Sequence, residues 1–380
     1  MKRLPVIQSS PLPALYAAWM DQMLAGPIPH ETDATCDDCA MLSTEGGKAK
    51  DRIFFNPDTK CCTYIPVIPN YLVGRILGDD DRNFATGRAT IAERLRAGVA
   101  VTPLGLGQPA HFLALYGQSS ESLFGRSATL RCPHYLGAEG GRCRIWQHRP
   151  AICATWYCKF VRGAVGSEFW QTLNRLLSAV ELCLSRWCVL ELNIGSEALS
   201  YVIPNPAGQL PKIDPLALDG AVDETAQRKL WGRWAERERD FYCECARLVN
   251  QLRWQDVLTI GGPDLKILSQ LVREAHARLK SKRSPERLRV GPLQIVSMHE
   301  ARSWIVAHSP LDPLDLPTKL LEVLPYFDGR PTEDALKAIA AEHGINLDAS
   351  LVRKLTDFEV LVSADEAFEQ SVRQTSEHSE

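Results

Sequence analysis

The chain has no apolar run long enough to cross a bilayer, so no membrane-spanning helix is expected. It opens Met1-Lys2-Arg3, but Gln8, Ser9, Ser10, Asp21 and Gln22 interrupt the apolar residues that follow. A secretion signal is therefore not expected, and the cytoplasm is the expected compartment. Surplus positive charge is missing as well: 43 Lys and Arg stand against 46 Asp and Glu, a net charge of −3. That leaves no electrostatic footprint for nucleic acid or an anionic membrane. There is no GxSxG, no HExxH, no P-loop and no Gly-rich strand-to-helix turn of the usual adenosyl-cofactor kind. These absences argue against serine hydrolases, zincins and P-loop NTPases. No internal repeat is present.

Cysteine, by contrast, is plentiful. Eight of the 12 cysteines fall between Cys36 and Cys158, about a third of the 380 residues. They are a CxxC pair (Cys36, Cys39), an adjacent pair (Cys61, Cys62), and Cys132, Cys143, Cys153 and Cys158. In a reducing compartment, clustered thiols read as ligands in preference to disulfides. Thiolates bind Zn²⁺ tetrahedrally or hold iron in iron–sulfur clusters. A structural zinc takes four ligands, so eight imply two four-ligand sites or one multi-metal cluster with spare ligands. Asp79, Asp80 and Asp81 form an acidic run that reads as a solvated turn.

Spacing sharpens the geometry. On an extended strand Cys61 and Cys62 would point to opposite faces. They then bridge two metals, serve two sites, or sit in a turn beside a cluster. On a helix Cys153 and Cys158 would lie about 140° apart, so they share an ion only where the backbone is not helical. Cys183, Cys188, Cys243 and Cys245 sit in helical stretches and read as core filler. His134 and His148 flank ligand candidates; either is a substitute ligand or a supporting or solvated side chain, and spacing alone does not choose. Arg131, Arg144 and Arg149 would offset the charge of a multi-thiolate site, or lie on the surface.

Helices are expected around Leu15, Trp19 and Met23, over Ala89–Gly98, over Glu168–Leu192, over Asp223–Trp254, and from Asp264 to Leu279. Strands are expected at Ile53–Phe55, Cys62–Ile65, Val99–Val101 and His111–Tyr116. Asn205–Gly220 reads as a connection. In the last part Thr332 and Asp348 read as helix caps, Gly344 as a stop, and Val360–Val362 as a short strand. The expected class is α+β and mostly helical. An N-terminal helix occupies 1–30, an irregular cysteine-cluster domain with short strands 31–165, and a helical region 166–280. A small winged-helix-like unit occupies 284–365, and a disordered tail 366–380.

The run Cys61-Cys62-Thr63-Tyr64, Arg131-Cys132-Pro133-His134, Arg142-Cys143-Arg144-Ile145-Trp146 and Arg149-Pro150-Ala151-Ile152-Cys153 resembles the YkgJ-type cysteine-cluster family. That family is described as zinc- or iron-chelating. Its pattern is CxxC, then CC, then C-P, C-x-aromatic and R-P-x-x-C. Cys36, Cys39, Cys61, Cys62, Cys132, Cys143 and Cys153 match it, and Cys158 extends it. The chain departs from the pattern in the 21 residues between Cys39 and Cys61. A more distant similarity, in the cysteine pattern alone, is to flagellin lysine N-methylase-like proteins, which transfer methyl groups from S-adenosylmethionine to protein lysines. Leu320–Leu361 is similar to PqqD-type winged-helix domains, which bind leader peptides. The resemblance implies a metal-binding protein that coordinates zinc or iron, or an iron–sulfur cluster, through the eight thiolates. The alternatives it implies are an iron–sulfur-dependent protein-modifying enzyme or a peptide-binding adaptor.

Overall fold

The computed structural model describes residues 10–36, 39–42, 54–137, 141–202, 219, 223–281 and 284–365. Ile53, most of the 205–220 connection and the tail from 366 lie outside the described residues. The protein is mostly helical, with short antiparallel strands in four small sheets. No helix among the described residues is long and apolar enough to cross a membrane.

Thirteen α-helices are described: α1 (Ala14–Met23), α2 (Asn70–Leu77), α3 (Ala85–Ala97), α4 (Ala110–Leu123), α5 (Ala151–Thr155), α6 (Gly163–Glu191), α7 (Ser196–Val202), α8 (Glu224–Trp231), α9 (Glu238–Val249), α10 (Trp254–Lys280), α11 (Thr318–Val323), α12 (Thr332–His343) and α13 (Ala349–Asp357). The spine is α6. Phe169, Trp170, Leu173, Leu176, Leu177, Val180 and Leu184 recur at three- and four-residue steps and are all fully buried. Each such side chain contributes roughly 1.5–3 kcal/mol of burial free energy. Alongside α6 runs α10, which bends where Gly262 adopts φ 64° and Pro263 removes a backbone donor. Gly261-Gly262-Pro263, read from sequence as a stop, is thus a kink inside one long element.

The expected single helix over 223–254 is two. Asp223 caps α8, and Gly232 (φ 53°) with Glu236 (φ 67°) breaks the chain before α9. A close crossing joins α2 to α9: a Cβ on Gly74 would stand 1.8 Å from the carbonyl oxygen of Tyr242. Strands β1 (Ile68–Pro69), β2 (Val101–Thr102) and β3 (Gly105–Leu106) form a sheet of order β1-β3-β2 beside this crossing. Ile68 pairs with Leu106, and Val101 pairs with the same residue from the other side.

Three expected strands are absent among the described residues, and of Ile53–Phe55 the described Phe54 and Phe55 form none. His111–Tyr116 lies in helix α4, where Phe112 and Tyr116, four residues apart, stack at 5.3 Å. Asp219 caps that helix, its carboxylate accepting from the Ala110 and His111 backbone N–H groups. Cys62–Ile65 is irregular, because Thr59, Lys60 and Thr63 close successive turns there. The expected stop at Gly98 is present, with φ 69°.

The buried side chains of α1, of α2 and α3, of α5, and of α6 to α10 form one contiguous core. Segments 1–30, 31–165 and 166–280 therefore share a core and do not each enclose their own. Residues 284–365 have a separate core centred on Leu288, Leu316, Phe327, Ile339 and Leu355. There β6 (Arg287–Val290) lies between β10 (Asp328–Pro331) and β11 (Leu361–Ser363), and β7 (Gln294–Met298), β8 (Arg302–Val306) and β9 (Leu314–Pro317) form an antiparallel meander. Asp348 caps α13 through the Leu351 N–H at 2.7 Å, and Gly344 ends α12 at φ 67°. Thr332 is the first helical residue of α12 and its hydroxyl bonds the Pro285 carbonyl, so it does not cap. Charged pairs join this unit to the rest: Arg162 to Asp357, and Lys159 to Asp312 at 3.6 Å.

Candidate metal centre

All eight expected ligands, Cys36, Cys39, Cys61, Cys62, Cys132, Cys143, Cys153 and Cys158, line one cavity of about 380 Å³. They arrive from four separate stretches, so local structure must aim each of them.

The N-terminal stretch is pinned by Glu31. Its carboxylate accepts from Trp170 Nε1 and from the Val161 N–H, both at 2.6 Å, fastening the loop that carries Cys36 to α6. The second stretch is a coil of turns. Asn56 accepts from the Lys60 N–H at 2.7 Å, and Thr59 accepts from the Cys62 N–H at 3.0 Å. Because this backbone is not extended, Cys61 and Cys62 escape the alternation of a strand, and both reach the cavity. Buried Lys60 ties the wall together, its ammonium donating to the carbonyls of Cys36 and Gly141.

Cys132 and Cys143 sit on a two-stranded hairpin, β4 (Tyr135–Leu136) with β5 (Arg142–Cys143). The Cys132 N–H donates to the Cys62 carbonyl at 2.8 Å, joining the hairpin to the turn coil. Each hairpin thiol accepts a backbone N–H two residues on: His134 to Cys132, and Ile145 to Cys143. Such bonds favour the thiolate form. The last pair solves its own angular problem. Helix α5 ends at Thr155, and Trp156 is extended (ψ 126°), so Cys153 and Cys158 are not on one regular helix.

The remaining four cysteines stay apart. Cys188 and Cys245 are buried in the main core, with the Cys188 thiol directed at the Cys245 carbonyl, and Cys183 and Cys243 are half-buried on α6 and α9. His148 is not available either: its Nε2 lies 2.8 Å from the Asp79 carboxylate, and its ring packs edge-on against Phe84. Asp79 is therefore a partner of His148, and Asp81 caps a short turn through the Asn83 N–H. His134 lines the cavity and is 1% exposed, and burial first, then Arg94 and Arg144, pushes its pKa down to about 3.

Without a cation, burial holds most of these thiols protonated. It pushes Cys36 and Cys158 up to about 11 and Cys143 up to about 12, and raises Cys132 as well. Cys62 moves the other way. It accepts a hydrogen bond from the Cys61 thiol and faces the Lys60 ammonium, so its pKa is lowered while that of Cys61 rises. Of this adjacent pair Cys62 is thus the thiol more readily ionised.

The charge around the cavity fits an anionic centre. Arg149 is 4% exposed, lies 3.7 Å over the Trp146 ring, and donates to the Trp146 and Pro11 carbonyls. Its Nε, the Nε of Arg144 and the Nη1 of Arg94 are buried without hydrogen-bond partners. Guanidinium groups so placed are favourable only opposite negative charge. Soft thiolates suit zinc and iron–sulfur centres. Among the described residues no three His, Cys, Asp or Glu side chains are gathered tightly enough to close round a single ion. The thiols line a wall and do not meet at a point.

Two features were not visible in the sequence. A second chamber of about 710 Å³ shares Cys36, Cys143, Trp146, Arg149 and Tyr157 with the cysteine cavity, and also has His30 and Glu31 in its wall. The other is Glu181, on α6, whose Oε1 accepts from Tyr16 and, at 2.7 Å, from the Ala151 N–H at the start of α5. It holds the turn that delivers Cys153.

Burial pushes the Glu181 carboxyl up to about 7, from an ordinary value of 4.5. The folded chain therefore keeps a proton that the unfolded chain loses, and stability contributed by the neutral acid is lost as pH rises from 4.5 to 7. Glu181→Gln cannot titrate and keeps an oxygen acceptor. Relative to the variant, wild type should lose about 3 kcal/mol between pH 4.5 and 7.5. Urea midpoints of both proteins across that range check this; parallel curves would show that Glu181 titrates normally.

No family model matches the chain, and no curated protein or solved structure matches it.

Proposed function

We propose that the protein is a metal-binding protein that holds iron or zinc through Cys36, Cys39, Cys61, Cys62, Cys132, Cys143, Cys153 and Cys158. The observation that carries this reading is the convergence of eight thiols, from four separate stretches, on one cavity. Cysteines recruited as core filler would scatter, as Cys183 and Cys243 do. The resemblance of their order to the YkgJ-type pattern supports it.

Spacing favours a polynuclear iron–sulfur centre over a lone zinc ion. Zinc thiolates lie at about 2.3 Å, so four zinc ligands must nearly touch. The cavity has the volume of on the order of ten waters, room for inorganic sulfide between the metal and a ring of thiols. A bound cluster would supply electron transfer or Lewis acidity. The chain's own residues supply the counter-charge of Arg142 and Arg149 and the aromatic wall of Trp146, Trp156 and Tyr157.

One observation favours the enzyme reading within this proposal. Structural metal sites are closed, whereas catalytic ones keep an approach. Here the 710 Å³ chamber reaches Cys36 and Cys143 from outside. A protein-modifying enzyme with a cluster beside a substrate chamber fits that arrangement. The C-terminal unit, with its meander and three helices, fits a winged-helix-like peptide-binding module that presents such a substrate.

Purifying the full chain anaerobically, then measuring iron, zinc, sulfide and visible absorption, tests the proposal. A brown protein with iron and sulfide in several-fold excess over chain is the expected result. A colourless protein with two zinc ions per chain would replace iron by zinc. A protein with neither metal would overturn the reading.

A further inference from the structure

We propose that His134 is a nitrogen ligand to the metal held in the cysteine cavity, binding through Nε2. This rests on the metal-binding reading above and adds to it a ligand of different chemistry.

The proton on the ring is located by its neighbours. Thr90 has one hydroxyl proton, and donates it to the Gly87 carbonyl at 2.8 Å. With that proton so assigned, its oxygen accepts from His134 Nδ1, 2.9 Å away. Nδ1 therefore carries the hydrogen and Nε2 the lone pair. That Nε2 is buried and has no hydrogen-bond partner. A buried lone pair without a donor calls for an explanation, and a bound metal ion would supply one. His134 also lines the cavity shared by the eight thiols.

The mounting is what a metal-bound imidazole needs. Ligating histidines present one nitrogen to the ion and give the other N–H to a fixed acceptor. Here Thr90 on α3 is that acceptor. The backbone is fixed too: the His134 N–H donates to the Cys132 thiol, and its carbonyl accepts from the Arg144 N–H at 2.8 Å. The ring is thus anchored on the hairpin that carries Cys132 and Cys143. Two guanidinium groups, Arg94 and Arg144, flank it; thiolates on the same hairpin offset them. His148, the other histidine near the cysteines, has its Nε2 engaged by Asp79.

The test uses the full chain loaded anaerobically with ferrous iron and sulfide, then reduced. Pulsed electron paramagnetic resonance on wild type, grown with ¹⁴N- or ¹⁵N-histidine, reads nitrogen bound to iron without any substitution. A strongly coupled nitrogen that changes with the histidine label is expected. It should vanish in His134→Gln and persist in His148→Gln. A cluster that forms in wild type with no label-sensitive nitrogen overturns the ligand assignment and leaves the cysteine reading standing. A chain that takes up no iron overturns both.

Discussion

Cys132→Ser with Cys143→Ser will come through purification with less than half the metal of wild type and a lower melting temperature. Both thiols lie on the β4–β5 hairpin, and each accepts a backbone N–H that favours its charged form. Serine keeps the shape but is a poor ligand for a soft metal. A metal present at a thousand times its dissociation constant stabilises the folded state by about 4 kcal/mol, and that is what the variant should lose. The loss should be uneven along the chain. The turn coil around Cys61 and Cys62 packs only into small satellite clusters, with Met41, Phe55 and Cys158 in one and Ile65, Phe112 and Leu130 in another. Hydrogen exchange there should rise by orders of magnitude, while α6 and α10 stay protected by the main core. Cys183→Ser with Cys243→Ser, outside the cavity, is the control and should keep both metal and melting point. Full metal content in the hairpin variant would refute the ligand set.

Gly74→Val will destabilise the protein by at least about 3 kcal/mol, at or beyond the upper end for overpacking. The reason is the α2–α9 crossing. A Cβ at position 74 would stand 1.8 Å from the Tyr242 carbonyl oxygen and 2.9 Å from the Ala246 Cβ. Backbone cannot rotate out of the way as a side chain can, so one helix must shift. The move would strain the bonds that seat both helices: Asn70 to the Pro103 and Ser185 carbonyls at 2.9 Å, and Tyr242 to the Thr102 carbonyl at 2.7 Å. A fall in melting temperature on the order of 5–10 °C should follow. The fraction that folds should still bind metal, because no ligand is on α2 or α9. An unchanged melting curve would show that the helices are not held this closely.

The two variants separate what the sequence reveals from what it hides. Cysteine spacing reveals which thiols share one cavity, because few other roles need so many of them in one region. Glycine and aspartate at helix ends reveal Gly98, Gly344 and Asp348, because each acts on its own backbone neighbours. The segment His111–Tyr116 misleads because a short apolar run satisfies a strand and a helix equally, and only the Asp219 cap, 108 residues on in sequence, decides it. Gly74 and Glu181 are silent in sequence for the same reason. Each matters through a partner on another element, Tyr242 and Ala151, and no local pattern marks such a meeting. Thr90 hides likewise, since its value to His134 exists only once α3 lies against the hairpin.

The stretch just after Cys158 is gripped from both sides. Asp312 takes the Phe160 N–H at 3.1 Å, Asp357 takes the Arg162 guanidinium, and Leu311 packs into the cluster that holds Cys158. The C-terminal unit thus has its hand on a chain segment two residues from a cavity-lining sulfur. A displacement of that unit would therefore reach the edge of the cavity through Leu311, Asp312 and Asp357.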